Sequence, residues 1–171
     1  MSPTPRPPFI VSAADLPERA HVYPHSDEAM GPARRLGAAA GLVRLGINLQ
    51  RLPPGTRSSW PHAESDEEEF VYVIKGEVQA WIDGTLHPMR AGDLAAFPAS
   101  TGICHAFINN GTREALLLVG GEATKASNRI VYPLHPSRRD DLPPDDWWHD
   151  APPRESGGHD GLPDARRRDR S

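Results

Sequence analysis

Two stretches of the chain concentrate the residue types that can hold a cation or move a proton. They are Gly55 to Gly76, GTRSSWPHAESDEEEFVYVIKG, and Gly92 to Asn109, GDLAAFPASTGICHAFIN. The donors are His62, Glu64 and Glu69 in the first stretch and His105 in the second. In an extended chain His62 and Glu64 point to one face, because side chains alternate with period two. Glu69 opens an apolar run and shares a face with Val71 and Val73; His105 shares one with Phe107 and Asn109. Adjacent strands of a small barrel can bring such inward groups to metal-ligand distance, so the four donors point to a metal cup. Trp60, two residues before His62, belongs on the same face. With Phe107 it is expected to wall the pocket against a substrate, with Asn109 as a further substrate contact. Core packing suits the two aromatics equally, and fixing a turn suits Asn109.

The other polar residues read differently. Asp66, Glu67 and Glu68 fit a solvated acidic loop, whereas a carboxylate facing a barrel interior, as expected of Glu64 and Glu69, is costly to ionise unless paired or metal-bound. The histidines at 21, 25, 87, 135, 149 and 159 lie outside both stretches and are read as ordinary. Cys104 is the single cysteine, so neither an intrachain disulfide nor a thiolate cluster can form. Alternation sends it to the face opposite His105, as a small buried hydrophobe.

The elements that must position these groups are short strands. Val43, Leu45, Ile47 and Leu49 alternate with polar residues and glycine, a half-buried strand stopped by Pro53-Pro54-Gly55. Phe70 to Lys75, Glu77 to Asp83, Thr85 to Met89, Leu94 to Phe97, His105 to Ile108 and Ala115 to Val119 follow, with Asp83-Gly84 a tight-turn signal. Asn128 to Leu134 is an added candidate. This spacing predicts an antiparallel all-β barrel over residues 40–122. Residues 1–39 read as an N-terminal arm, with a short helix starting at Ser12 and Tyr23, Pro24 and His25 placed to dock it. Residues 123–164 read as a C-terminal arm packed along the barrel, and 165–171 as a disordered tail. Two adjacent indoles, Trp147 and Trp148, are seldom left in water; with the apolar arms they predict a homodimer.

Composition narrows the partners. Pro and Gly number 19 and 15 of 171 residues, which disfavours a helical bundle. A net charge of −4 gives no basic footprint for nucleic acid, and neither arm carries a helix-turn-helix pattern. With no signal-peptide run and no span of about 20 apolar residues, the expectation is a cytoplasmic protein without membrane contact.

The two stretches resemble the motifs of the cupin superfamily. Gly55, His62, Glu64, Glu69 and Gly76 occupy the frame of the first, with six residues instead of five before His62 and Glu64 where a second histidine usually stands. Gly92, Pro98, Gly102, His105 and Asn109 fit the second, with three residues instead of one between Pro98 and Gly102. The chain is most similar to small bacterial single-domain cupins of largely unassigned reaction. The resemblance implies a double-stranded β-helix (jelly-roll) barrel and one divalent metal ion, Fe, Mn, Zn or Ni, held by His62, Glu69 and His105, with Glu64 in place of the other histidine. Two imidazoles and two carboxylates around a divalent ion sum to zero charge, a weaker electrophile than the three-histidine site. If Glu64 swings away, the remaining three form a two-histidine, one-carboxylate triad with Glu64 free as a base. Both arrangements fit the motif. They imply a metalloenzyme acting on a small organic molecule, carboxylate-bearing ones included, by oxygenase, isomerase or lyase chemistry. The other reading is a non-catalytic module that binds or senses a small ligand.

Overall fold

The computed structural model describes residues 6–123 and 125–168. Among them the chain forms β1 (Ala33–Arg35), α1 (Leu36–Ala39), β2 (Leu45–Leu52), β3 (Ala63–Glu64), β4 (Glu69–Lys75), β5 (Glu77–Ile82), β6 (Thr85–Arg90), β7 (Leu94–Phe97), β8 (His105–Ile108), β9 (Ala115–Glu122), β10 (Ile130–Val131) and α2 (Asp164–Arg168). Every pairing between these strands is antiparallel: a five-stranded sheet in the order β1-β2-β9-β4-β7 faces a three-stranded sheet β6-β5-β8, and β10 pairs with β3. Bridges Arg57↔Ile108 and His62↔His105 carry the smaller sheet on through residues 57–62 to β3. This is a double-stranded β-helix. No helix among the described residues is long and apolar enough to cross a membrane.

The barrel core is the inward parity of both sheets: Leu52, Val71, Val73, Val78, Ala80, Phe97, Phe107, Ala115 and Leu117. Strand ends follow turn chemistry. Asp83 and Gly84 both have positive φ, 45° and 83°, the two-residue hairpin geometry that matches strand twist. In β2 the alternation is real but its apolar face turns outward. Gln50 and Leu52 are buried, while Leu45 lies exposed and Val43, before the strand, is 84% exposed. Register explains this, since Leu49 aligns with Leu118, Tyr72 and Leu94 across the sheet, an apolar row on its outer surface. Buried Gln50 spends its amide on the carbonyls of Gly31 and Ser58.

Both arms are tied down. The helix expected from Ser12 is a single 3₁₀ turn, Ala13–Asp15, with the Ser12 hydroxyl accepting from Ala14 N–H. The N-terminal arm also carries β1 and α1, which its sequence did not announce. Arg57, 1% exposed, donates to both carboxylate oxygens of Glu28 at 2.9 and 2.6 Å and to the Gly161 carbonyl at 2.8 Å, so one guanidinium joins both arms to the barrel. The C-terminal arm covers the outer face of the smaller sheet, where Trp148 packs with Ala63, Trp81, Cys104 and Ile108. Trp147 packs beside Tyr132 in the cluster of Tyr23, Met30 and Trp60. The two indoles are therefore packed within the chain. Of the tail expected to be disordered, residues 165–168 belong to α2, where Arg166 meets Asp27 at 2.6 Å; residues 169–171 lie outside the described residues.

Candidate metal centre

His62 and His105 face each other across the continuation of the smaller sheet. His62 N–H donates to the His105 carbonyl at 3.2 Å and His105 N–H to the His62 carbonyl at 2.9 Å, so the backbone sets both imidazoles on one face. Glu69 arrives from the opposite sheet as the first residue of β4, paired with Phe97 and Gly121. Its Oε2 lies 3.4 Å from His62 Nε2 and 3.2 Å from His105 Nε2. One donor atom from each of the three lies within 4.8 Å of the others. Phe97 stacks on the His105 ring at 3.5 Å with a 5° tilt and locks its plane.

The other ring nitrogens decide the tautomers. His62 Nδ1 sits 2.8 Å from the Trp60 carbonyl and His105 Nδ1 3.4 Å from the Ile103 carbonyl. A carbonyl only accepts, so both Nδ1 atoms carry hydrogen and both Nε2 lone pairs are turned to the site, the orientation a metal ligand needs. Two lone pairs and a carboxylate oxygen then converge, and Glu69 Oε2 is buried without an aligned hydrogen bond. Such a set could hold a cation, and these donors fit a divalent one. With protons alone, burial disfavours the charged form of His62, yet Glu69 and the charge of Glu64 outweigh it and lift His62 to about 9. His105 moves the other way, lowered by its burial and then by the charge of His62 despite Glu69. Burial opposes ionisation of Glu69, but the facing His105 and His62 hold it far below the usual carboxylate range.

Comparison with known proteins identifies the family of the fold. A family model described as "Cupin domain" matches residues 48–121. The crystal structure of a sugar phosphate isomerase from a cupin superfamily, from Silicibacter pomeroyi, is 34% identical, with a TM-score of 0.64 over 72% of this chain and 80% of that one. The chain belongs to the cupin superfamily. This cupin is also 27% identical to a putative sugar phosphate isomerase from Acidithiobacillus ferrooxidans, with a TM-score of 0.67 over 74% and 81% of the two chains. Among curated proteins it is 35% identical over 83 residues to "Polyketide synthase CurC" of Streptomyces cyaneus, a match covering 48% of this chain and 49% of that protein. The chain spans about half the length of the curated relatives it matches.

The structure gathers only part of the expected site of this cupin. Glu64 does not join the three-donor group. It lies at the edge of a small space of about 10 Å³ shared with Glu69, Phe97 and His105, where its Oε2 accepts from Asn128 Nδ2. Burial pushes the Glu64 carboxyl up to about 7, against the pull of His62 and Asn128. Trp60 does not wall the pocket. Its ring is stacked between Tyr23 at 4.2 Å and His135 at 3.9 Å, sealing the arms over the barrel. Phe107 is barrel core. Asn109 is fully buried, donating to the carbonyls of Leu52 and Arg113 and accepting from Gly111 N–H, so no polar atom is left for a substrate. Cys104 lies on the opposite face from His105 as expected, where burial and the charge of Asp83 push its thiol up to about 12. Two residues that shape the site, Phe97 and Asn128, were missed. Phe97 could have been found from its place one residue before the motif proline; Asn128, 64 residues from Glu64, left no signal.

Proposed function

We propose that this cupin is a metal-dependent enzyme that rearranges a small oxygen-bearing organic molecule by proton transfer, in the manner of an isomerase or lyase. The observation that carries the reading is the convergence of His62 Nε2, His105 Nε2 and Glu69 Oε2, with both imidazole tautomers fixed by backbone carbonyls. A divalent ion held there would act as a Lewis acid on a substrate oxygen. Glu64, beside the three donors and outside their group, is the group available to take and return a proton. Asn128 holds it in place, and the stacked Tyr23, Trp60 and His135 keep water out on the arm side. The 34% identical relative described as a sugar phosphate isomerase supports proton-transfer chemistry over oxygenation.

The test is metal content by mass spectrometry on protein purified without added metal or chelator, beside His62→Ala and His105→Ala. Near-stoichiometric metal in the parent, lost in both variants, is the expected result. Absence of metal after reloading with Fe, Mn, Zn and Ni would overturn the metalloenzyme reading in favour of a binding module.

A further inference from the structure

The space beside the three donors is about 10 Å³, room for roughly one water. The body of any substrate must therefore lie elsewhere while its reacting oxygen reaches the donors. Glu69 is the most exposed of the three, its side chain 26% exposed against 12% for His62 and 6% for His105, although its Oε2 is itself buried. It opens onto a cleft of about 310 Å³ at the end of the five-stranded sheet.

Register builds this cleft. The inner row across the sheet end reads Gly46, Gly121, Glu69, Phe97, and the next row, on the outer face, reads Ile47, Gly120, Phe70, Ala96. Gly46, at the end of the inner row, leaves the space a side chain would fill. At Gly121 a Cβ would come within 2.8 Å of the Glu68 carbonyl and 3.2 Å of Glu69 Cγ, so only glycine lets β9 lie this close to Glu69. Phe70 lies over Gly120, and with Leu45, Ile47, Ala96 and Pro98 it makes an apolar lining. The charged residues of the cleft are Glu68, Glu69 and Glu122; no Lys, Arg or His among the described residues lines it. Lys125, the nearest partner of Glu122 at 2.6 Å, is already paired.

Resting on the metal-centre reading above, we infer that this cleft is the substrate subsite, and that it takes an uncharged molecule with a flat apolar body and one hydroxyl or carbonyl oxygen directed at Glu69. A phosphorylated sugar is the wrong occupant. No Lys, Arg or His of the lining would meet its phosphate, which would face Glu68 and Glu122, and its hydroxyls would face an apolar wall. The substrate class of this cupin thus departs from that of the sugar phosphate isomerase it resembles.

The experiment uses the full chain, metal-free and metal-loaded, with 2-naphthol as the neutral apolar probe and ribose 5-phosphate as the anionic polar one, both followed by calorimetry. Two variants fill the cleft. Gly46→Leu is tolerated by the backbone, since a Cβ there meets only the Gly121 carbonyl at 3.8 Å and the Glu122 carbonyl at 4.0 Å; Ala96→Trp starts from an exposed position. The expected result is saturable 2-naphthol binding to the parent, weakened at least about tenfold in both variants at unchanged melting temperature, with no binding of ribose 5-phosphate. Binding of ribose 5-phosphate that displaces 2-naphthol would overturn the assignment, as would 2-naphthol binding unaffected by either variant. A parent dimer in sedimentation that both variants convert to monomer would assign the cleft to a second copy of the chain and overturn it too. Metal content is measured separately. Loss of the metal reading with cleft-dependent 2-naphthol binding intact would therefore be told apart from failure of the cleft.

Discussion

Asn128 donates its side-chain amide to Glu64 Oε2 at 2.5 Å, and the carboxylate so held lies outside the three-donor group. The same amide's oxygen accepts from Asp66 N–H at 3.0 Å, so the orientation of Asn128 is itself fixed by the loop that follows Glu64. The contact joins the start of the C-terminal arm to the end of β3, and it supports the proposed role of Glu64 as a base.

Glu64→Gln is therefore expected to retain metal within about threefold of the parent while turnover falls by roughly 10²–10⁴, the range for loss of a general acid–base group. Metal analysis and steady-state kinetics on the same preparation check this. Loss of metal in Glu64→Gln would make Glu64 a ligand instead.

The Arg57–Glu28 pair is fully enclosed, and removing one partner strands the other charge. Arg57→Met should cost about 3–5 kcal/mol in urea unfolding. Arg57→Met combined with Glu28→Met should recover a large part of that loss, because neither charge is then left unpaired. A single variant as stable as the parent would mean that the pair does not hold the arms.

Asn109→Ala should cost about 1–3 kcal/mol, since it leaves the Leu52 and Arg113 carbonyls and the Gly111 N–H without their partner. Metal content and affinity for bound small molecules should stay at parent levels, which separates this structural role from the substrate contact its place in the motif invites.

Cys104 is sealed by Ala63, Trp81, Ile108 and the Trp148 indole. Alkylation of the native protein at pH 8 should run at least about a hundredfold below that of an unfolded control, because it waits for local opening. Trp148→Ala, a truncation of the class that costs about 3–5 kcal/mol, should raise the rate by tenfold or more. A parent thiol labelled as fast as the control would show that the arm does not cover this face.

The sequence by itself determined the barrel and the three donors that converge in it. Period-two alternation and paired turn residues located the strands Glu77–Ile82, Leu94–Phe97 and His105–Ile108 within a residue, because strand periodicity and turn chemistry are local properties of the chain. The roles of His62, Glu69 and His105 were legible through the resemblance of their spacing to the cupin motifs. What lay beyond local reach was decided by register between distant segments. Alternation in Val43 to Leu49 revealed two faces without saying which was inward; pairing with β9 placed the apolar one outside. Only tertiary packing could hand Glu64 to Asn128, stack Trp60 between residues of two arms, and leave Gly46 and Gly121 side by side at Glu69. Those contacts join residues tens of positions apart, and their energies depend on surfaces that exist only once the chain has folded.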